Sequence, residues 1–339
     1  MTRILVVRLG SLGDVIHTLP AVAALRRAMP DARIDWLVDV PHQEIVGLVR
    51  VIDARIVLEA RTAKAWLNAA ATLRARGYDV AIDFQGLFKS AILARVSGAK
   101  RVLGFSIWHL RERGARAFYT QTADGEAEGR HVIRKNLALA SLLAPSIDPQ
   151  TAALEFPLAN LPSGAVEELK RVLAGAPYAV LNPGAAWPNK RWPAERFGEV
   201  ASFVRARHGL RSLVTWGPGE KMLAESVVGA SEGTAVMTPP LGLLDLVALL
   251  RDAKLMVSGD TGPTHIAGAL DIPIVSPFGP TSAGRNGPWN PDDIVLSKFD
   301  ECECHFQRRC RVPDRWCLGR LPAPEMMAAI TRRLETARR

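Results

Sequence analysis

The chain of 339 residues alternates short β-branched apolar runs with stretches of helical spacing, and it does so twice. The runs RILVVRL (3–9), IDWLVD (34–39), RIVLE (55–59), DVAIDF (79–84) and RVLGF (101–105) form the first series. YAVLNPG (178–184), RSLVTWG (211–217), TAVMT (234–238), KLMVSGD (254–260) and IPIVSPFG (272–279) form the second. Strands joined through helices run parallel and are covered on both faces, so each half is expected to be a doubly wound α/β domain. A hydrophobic share of 48% is ample for two cores. Five prolines between 145 and 177 mark the break. The expected division is 1–155, a linker at 156–174, and 175–320. The amphipathic helix in 321–339 is expected to pack back on the first domain.

The most informative turn is Gly259-Asp260-Thr261-Gly262-Pro263-Thr264-His265, which follows one of these strands and opens a helix. Two glycines permit close backbone approach, and proline suits a first helical position. The unpaired N–H groups of the helix start favour an anion. An ordinary turn capped by Asp and Thr is the plainer alternative. Four further strand-end loops reinforce the anion site: Asn182 to Ala186 with Lys190 after it, Trp216 to Glu220, Pro239 to Leu241, and Phe278 to Thr281. A parallel sheet gathers such loops at one edge. Lys190 offers a point charge for a diphosphate, Gly262 to His265 offer backbone donors, and Glu220 can accept from a ribose hydroxyl.

In the first half, Gly10-Ser11-Leu12-Gly13-Asp14 follows the first strand. The GxGxxG of dinucleotide enzymes is absent, as is a P-loop, so a dehydrogenase is poorly supported. Asp14 sits beside the positive end of a helix, where a carboxylate is held ionised and can serve as a base; as an alternative it is only a helix cap. Net charge is +9, and residues 50 to 135 carry 16 Lys and Arg against 8 Asp and Glu. A basic face suits an acidic partner. Sparse aromatics (6%) and the lack of a recognition motif argue against nucleic acid. No apolar run is long enough to span a membrane, and Met1-Thr2-Arg3 leads directly into a strand, so neither a span nor a signal peptide is expected. All four cysteines, Cys302, Cys304, Cys310 and Cys317, fall in one window. Their spacing allows a zinc or iron site, two bridges, or free thiols that hold a loop.

Taken together, RLGSLGDVIHTLPA, DFQGLFKS (83–90) and GDTGPTHIAGAL (259–270) closely resemble the ADP-heptose:lipopolysaccharide heptosyltransferases of glycosyltransferase family 9. The resemblance implies a GT-B architecture, with two Rossmann-like domains facing across a cleft. It also implies an inverting transfer of heptose from ADP-heptose to the Kdo/heptose inner core of lipopolysaccharide, or to a protein or other glycan. By the same resemblance Asp14 is the general base, and Lys190 with the N–H groups of Thr261 and Gly262 lies near the diphosphate. Asp260 lies near the heptose, Glu220 near the ribose, and His265 at the helix start. Arg61 and Lys64, with Lys89 and Arg111 as further candidates, would meet the anionic acceptor. No cofactor is required, and the enzyme would be cytoplasmic and peripheral to the inner membrane. Ala185 and Ala186 depart from the family pattern, where hydroxyl-bearing residues follow the strand. A nucleotide-sugar epimerase and a non-catalytic binder are the alternatives from other classes.

Overall fold

A computed structural model describes residues 1–60, 62–123 and 131–337, without the side chain of Arg315. The chain divides into two compact units, Met1–Asn160 and Leu161–Arg339. In the first, the elements are β1 (Arg3–Val7), α1 (Leu12–Ala28), β2 (Arg33–Asp39), α2 (Gln43–Gly47), β3 (Ala54–Leu58) and α3 (Ala63–Arg76). They continue with β4 (Val80–Asp83), α4 (Phe88–Val96), β5 (Arg101–Phe105), β6 (Gln121–Ala123) and α5 (Val132–Ser141). The second unit contains α6 (Gly164–Val172), β7 (Tyr178–Asn182), α7 (Ala194–His208), β8 (Arg211–Val214), α8 (Lys221–Gly229) and β9 (Ala235–Met237). It ends with α9 (Leu243–Arg251), β10 (Leu255–Ser258), α10 (Gly262–Ala269), β11 (Ile274–Phe278), α11 (Ala283–Asn286), β12 (Ile294–Ser297) and α12 (Ala323–Thr336).

Both sheets are six-stranded, with every neighbouring pair parallel. Their orders are β3-β2-β1-β4-β5-β6 and β12-β11-β10-β7-β8-β9. Counted from its own first strand, the second sheet repeats the order of the first. The central strands β4, β7 and β10 are buried along their whole length, which matches their unbroken apolar text. All ten expected strands are present, but several end before their trailing polar, Gly and Pro residues, which belong to the loops. The sixth strand of each sheet, QTA and IVLS, went unread because it is short or incompletely buried.

The first unit closes on itself where the chain leaves it: Val49 and Leu158 form an antiparallel bridge, and the Ala159 N–H donates to the Leu48 carbonyl at 2.7 Å. The second unit begins inside the stretch read as linker. Its Ser163 caps α6 through the Val166 N–H and also donates to Asp245 at 2.7 Å, at the start of α9. The last helix is built into the second unit. Met326, Ala329, Ile330 and Leu334 of α12 lie in the core of the second unit, and the helix packs on α7, β11 and β12. Buried Arg333 pairs there with Asp293 at 2.8 Å. An amphipathic pattern specifies that one face is buried, not what buries it.

Ile330→Ala removes a fully buried side chain from this core. It is expected to lower unfolding stability by about 2–5 kcal/mol in urea titration; an unchanged midpoint would show that α12 does not support the second unit.

Candidate functional site

In a sheet of this order, the two central strands lead their crossovers to opposite sides, and a crevice opens at their carboxyl ends. In the first unit those strands are β1 and β4; in the second they are β7 and β10. The two sequence motifs built around Asp14 and Asp260 follow β1 and β10.

Asp14 occupies the first turn of α1, and its Oδ2 accepts from Ser11 Oγ at 3.1 Å and from the Ser11 N–H at 3.4 Å. This is capping-box geometry, so the plainer alternative describes a real part of its role. The other oxygen does something a cap does not need. Asp14 Oδ1 pairs with Arg8 Nη2 at 2.6 Å, and while the Arg8 side chain is 7% exposed, that of Asp14 is 34% exposed. Arg8 Nη1 donates to the Phe84 carbonyl, just past β4. The Leu9 N–H donates to Gln85 Oε1 at 2.7 Å. Asp83, wholly buried, fixes that turn: its Oδ1 accepts from the N–H groups of Gln85 and Gly86, and its Oδ2 from Ser90 Oγ and Tyr119 Oη. Burial pushes the Asp83 carboxyl up, while these donors pull it back down. Gly86 takes φ +70°, a conformation that favours glycine. His42 packs against Gly10, leaving no room there for a β-carbon. Burial lowers the His42 pKa, opposed by the charges of Asp39 and Asp14.

The candidate acceptor cations are less convergent. Lys64 is exposed in the first turn of α3. Lys89 in α4 lies 3.8 Å from Asp39. Arg111 is exposed, and its neighbour Glu112 accepts from the Phe88 N–H, which brings Arg111 near the start of α4. Arg61 lies outside the described residues.

In the second unit Asp260 is the hub. Its Oδ2 receives Lys190 Nζ at 2.5 Å and Thr281 Oγ1 at 2.8 Å, and its Oδ1 receives Asn286 Nδ2 at 2.6 Å, with His265 Nε2 at 3.5 Å. Burial alone would raise the Asp260 pKa; the His265 hydrogen bond and the Lys190 charge overcome it and hold the carboxyl well below the usual range. Lys190, read from sequence as a point charge for a diphosphate, is held here by Asp260 and also sits 4.4 Å above the Trp187 ring. Thr261 occupies the N-cap position of α10 without bonding the helix N–H groups through its side chain; its hydroxyl lies 3.0 Å from Ser258 Oγ and 3.1 Å from Thr264 Oγ1. Gly262 opens that helix ahead of Pro263.

Glu220 accepts from the Gly217 N–H at 3.0 Å and lies 3.5 Å from Arg191 Nη2. A side chain at Gly184 would collide with this carboxylate. Asn182 is structural: it bonds the Gly184 carbonyl, Ser258 and Thr215, tying together the ends of β7, β8 and β10. Sequence reasoning missed Arg8, Arg191 and Asn286. For Arg8 a signal existed, namely a cation closing an apolar strand immediately before a glycine turn.

The cysteines are all free, and Cys302, Cys304 and Cys317 are buried. Cys304 and Cys310 sulfurs are 3.8 Å apart, and the Arg311 N–H donates to Cys304 at 3.1 Å, which pulls that thiol's pKa down. Burial, with Cys302 nearby, pushes Cys317 up to about 12. Among the described residues no three His, Cys, Asp or Glu side chains are grouped to hold a metal. The segment buttresses the strand-end loops: Asn189 donates to the Gln307 carbonyl at 2.9 Å, the Phe306 N–H donates to the Pro280 carbonyl at 2.8 Å, and Cys317 and Leu318 press on Gly279.

The glycosyltransferase family 9 (heptosyltransferase) model matches residues 66–315. The chain is 32% identical over 321 residues to lipopolysaccharide heptosyltransferase 1 of Pseudomonas aeruginosa, covering 91% of this chain and 87% of that protein. It is 27% identical to lipopolysaccharide heptosyltransferase 3 of Escherichia coli, covering 96% and 97%. Among solved structures, E. coli heptosyltransferase WaaC with ADP superposes with a TM-score of 0.73 at 25% identity, over 99% of this chain and 98% of that one. E. coli ADP-heptose lps heptosyltransferase II, at 19% identity, shares the fold with a TM-score of 0.79 over the whole of both chains.

The Asp260 result carries a pH prediction. Its folded pKa is depressed, so its ion pair adds stability above the unfolded value of about 3.9 and loses it as pH falls further. Asp260→Asn strands Lys190 and is expected to cost about 3–5 kcal/mol at pH 7. It should also flatten the loss of stability below about pH 4 relative to the parent. Parallel acid curves for the two proteins would refute the assignment.

Proposed function

We propose a division of labour on one premise: the chain belongs to glycosyltransferase family 9, the heptosyltransferases. The second unit binds ADP-heptose, and the first binds the anionic inner core of lipopolysaccharide. Asp14 takes the proton from an acceptor hydroxyl as that oxygen attacks the anomeric carbon of the heptose. The carbon–oxygen bond to ADP breaks, ADP leaves with the electron pair, and the configuration inverts. Proton transfer by a placed carboxylate contributes about 10²- to 10⁴-fold.

The observation that carries this reading is an Asp14 carboxylate oriented from behind yet open to solvent, at the carboxyl edge of the first sheet. Support on the donor side comes from the α10 N-terminus with Lys190, Asp260 and His265 beside it. Thr261 and Gly262 N–H groups suit the diphosphate, Asp260 a sugar hydroxyl, and Glu220, already aimed by Gly217 and Arg191, a ribose hydroxyl. Arg61, Lys64, Lys89 and Arg111 are assigned to the acidic acceptor. No cofactor enters the scheme. An acceptor anchored in lipid implies work at the cytoplasmic face of the inner membrane; no described helix is long and apolar enough to cross it, and contact would be peripheral.

Asp14→Ala should lower ADP release from ADP-heptose in the presence of Kdo2-lipid A by about 10²-fold or more, with ADP affinity preserved. Full turnover in that variant would remove Asp14 from the chemistry. Lys64→Ala and Lys89→Ala are expected to raise the acceptor KM severalfold, most strongly at low salt, and to leave the ADP-heptose KM unchanged. Salt-independent acceptor kinetics identical to the parent would dismiss them as acceptor contacts.

A further inference from the structure

We propose that Arg8 is the positioning residue for the base, and that the DFQG turn after β4 exists to hold it. This rests on the assignment of Asp14 as the base. Arg8, which follows β1, is anchored to β2 on one side and to the end of β4 on the other. Its N–H donates to the Leu37 carbonyl at 3.2 Å, its carbonyl accepts from Trp36 Nε1 at 3.1 Å, and its guanidinium spans from the Phe84 carbonyl to Asp14 Oδ1. The adjacent Leu9 N–H is held by Gln85, and buried Asp83 fixes the whole turn. The base loop therefore rests on a rigid bracket supplied by a motif 70 residues downstream.

The asymmetry of exposure separates this arrangement from a simple core ion pair. The cation is inside and the carboxylate faces solvent, so Arg8 reaches a substrate only through Asp14. A lone surface aspartate would sample several rotamers. Here one oxygen is fixed by a planar fork and the other by Ser11, which leaves the outward lone pairs of a single orientation for an acceptor hydroxyl. A guanidinium binds the Phe84 carbonyl and Asp14 through two nitrogens held in one plane; an ammonium on a lysine stem has to serve both from a single nitrogen without that fixed spacing. Preorganisation of this kind acts on turnover, since misplacing a reacting group by about 1 Å costs about 10²-fold.

The test is a double-mutant cycle of Arg8→Met and Asp14→Asn in the full chain, with Arg8→Lys alongside, assayed by ADP release with Kdo2-lipid A. Arg8→Met should lower kcat by about 10²-fold at an unchanged ADP-heptose KM, and Arg8→Lys should recover part of the loss. In the Asp14→Asn background, Arg8→Met should change turnover by less than about twofold, because a residue acting through Asp14 has nothing left to position. Losses that multiply, or Arg8→Met at the parent rate while Asp14→Asn is slow, overturn the proposal and leave Asp14 as base. Asp14→Asn at the parent rate overturns the base assignment itself. ADP affinity checks that each variant is folded. Should Arg8→Met fail that check, the same cycle is run with Arg8→Lys, where partial loss that vanishes with Asp14→Asn supports the proposal and persistent loss overturns it.

Discussion

The structure depends on one constraint: a parallel strand covered on both faces takes a charge inside it only where a partner neutralises it, as Arg76 does for Asp35 in β2, and otherwise holds its charges at its ends. The central strands are buried throughout, so every ionisable group that serves them is pushed to the strand ends. The strand order then decides which ends matter. Because β1 and β4, and again β7 and β10, send their chains to opposite sides, the loops beyond them have open space above the sheet. Arg8 to Asp14 and Phe84 to Gly86 meet at the first such place; Asn182 to Arg191 and Gly259 to His265 meet at the second.

This accounts for what was legible in the sequence. An unbroken apolar run followed by Gly, Asp and a helical pattern is a local signal, and the Asp14 and Asp260 turns were found through it. Pairings across the sheet edge are not local. Arg8 reaches Phe84 over 76 residues, and Asp260 reaches Lys190 over 70, so the text names the members of each pair without joining them. Asn286 lay hidden for another reason: its side chain matters only because the short α11 brings it to Asp260. The periodicity of α12 marks a buried face without naming its partner, since it fits any apolar surface equally well.

The basic stretch between residues 50 and 135 needs similar revision. Much of its arginine content is internal wiring. Arg55 donates to the Gln43 carbonyl, Arg74 to Val96, Arg101 to Leu142 and Arg134 to Pro149 and Ala152, while Arg76 pairs with fully buried Asp35. These guanidiniums tie main-chain carbonyls and a buried carboxylate to neighbouring elements, so a count of charges overstates the field offered to an acidic partner. Lys64 and Arg111, by contrast, are exposed, and the proposed contact with an acidic acceptor rests on such side chains rather than on the net charge of the segment.

Charge balance on the donor side follows a different logic. Lys190 and Arg191 are each matched by a carboxylate, Asp260 and Glu220, so two cations and two anions share a half-buried space. Leaving Lys190 bare, at 15% exposure, would carry the cost of an uncompensated buried charge. On the proposed reading, a diphosphate arriving at the α10 N-terminus would bring its own negative charge to cations already in position, and would compete with Asp260 and Glu220 for them. Each carboxylate that yields part of its cation gains capacity to accept from a hydroxyl. A ligand joining a diphosphate to a polyol on either side satisfies both demands at once; a bare phosphate meets only the first. On this argument the paired charges do more than stabilise the empty site, because they make recognition of the anion and of the sugars flanking it parts of one exchange.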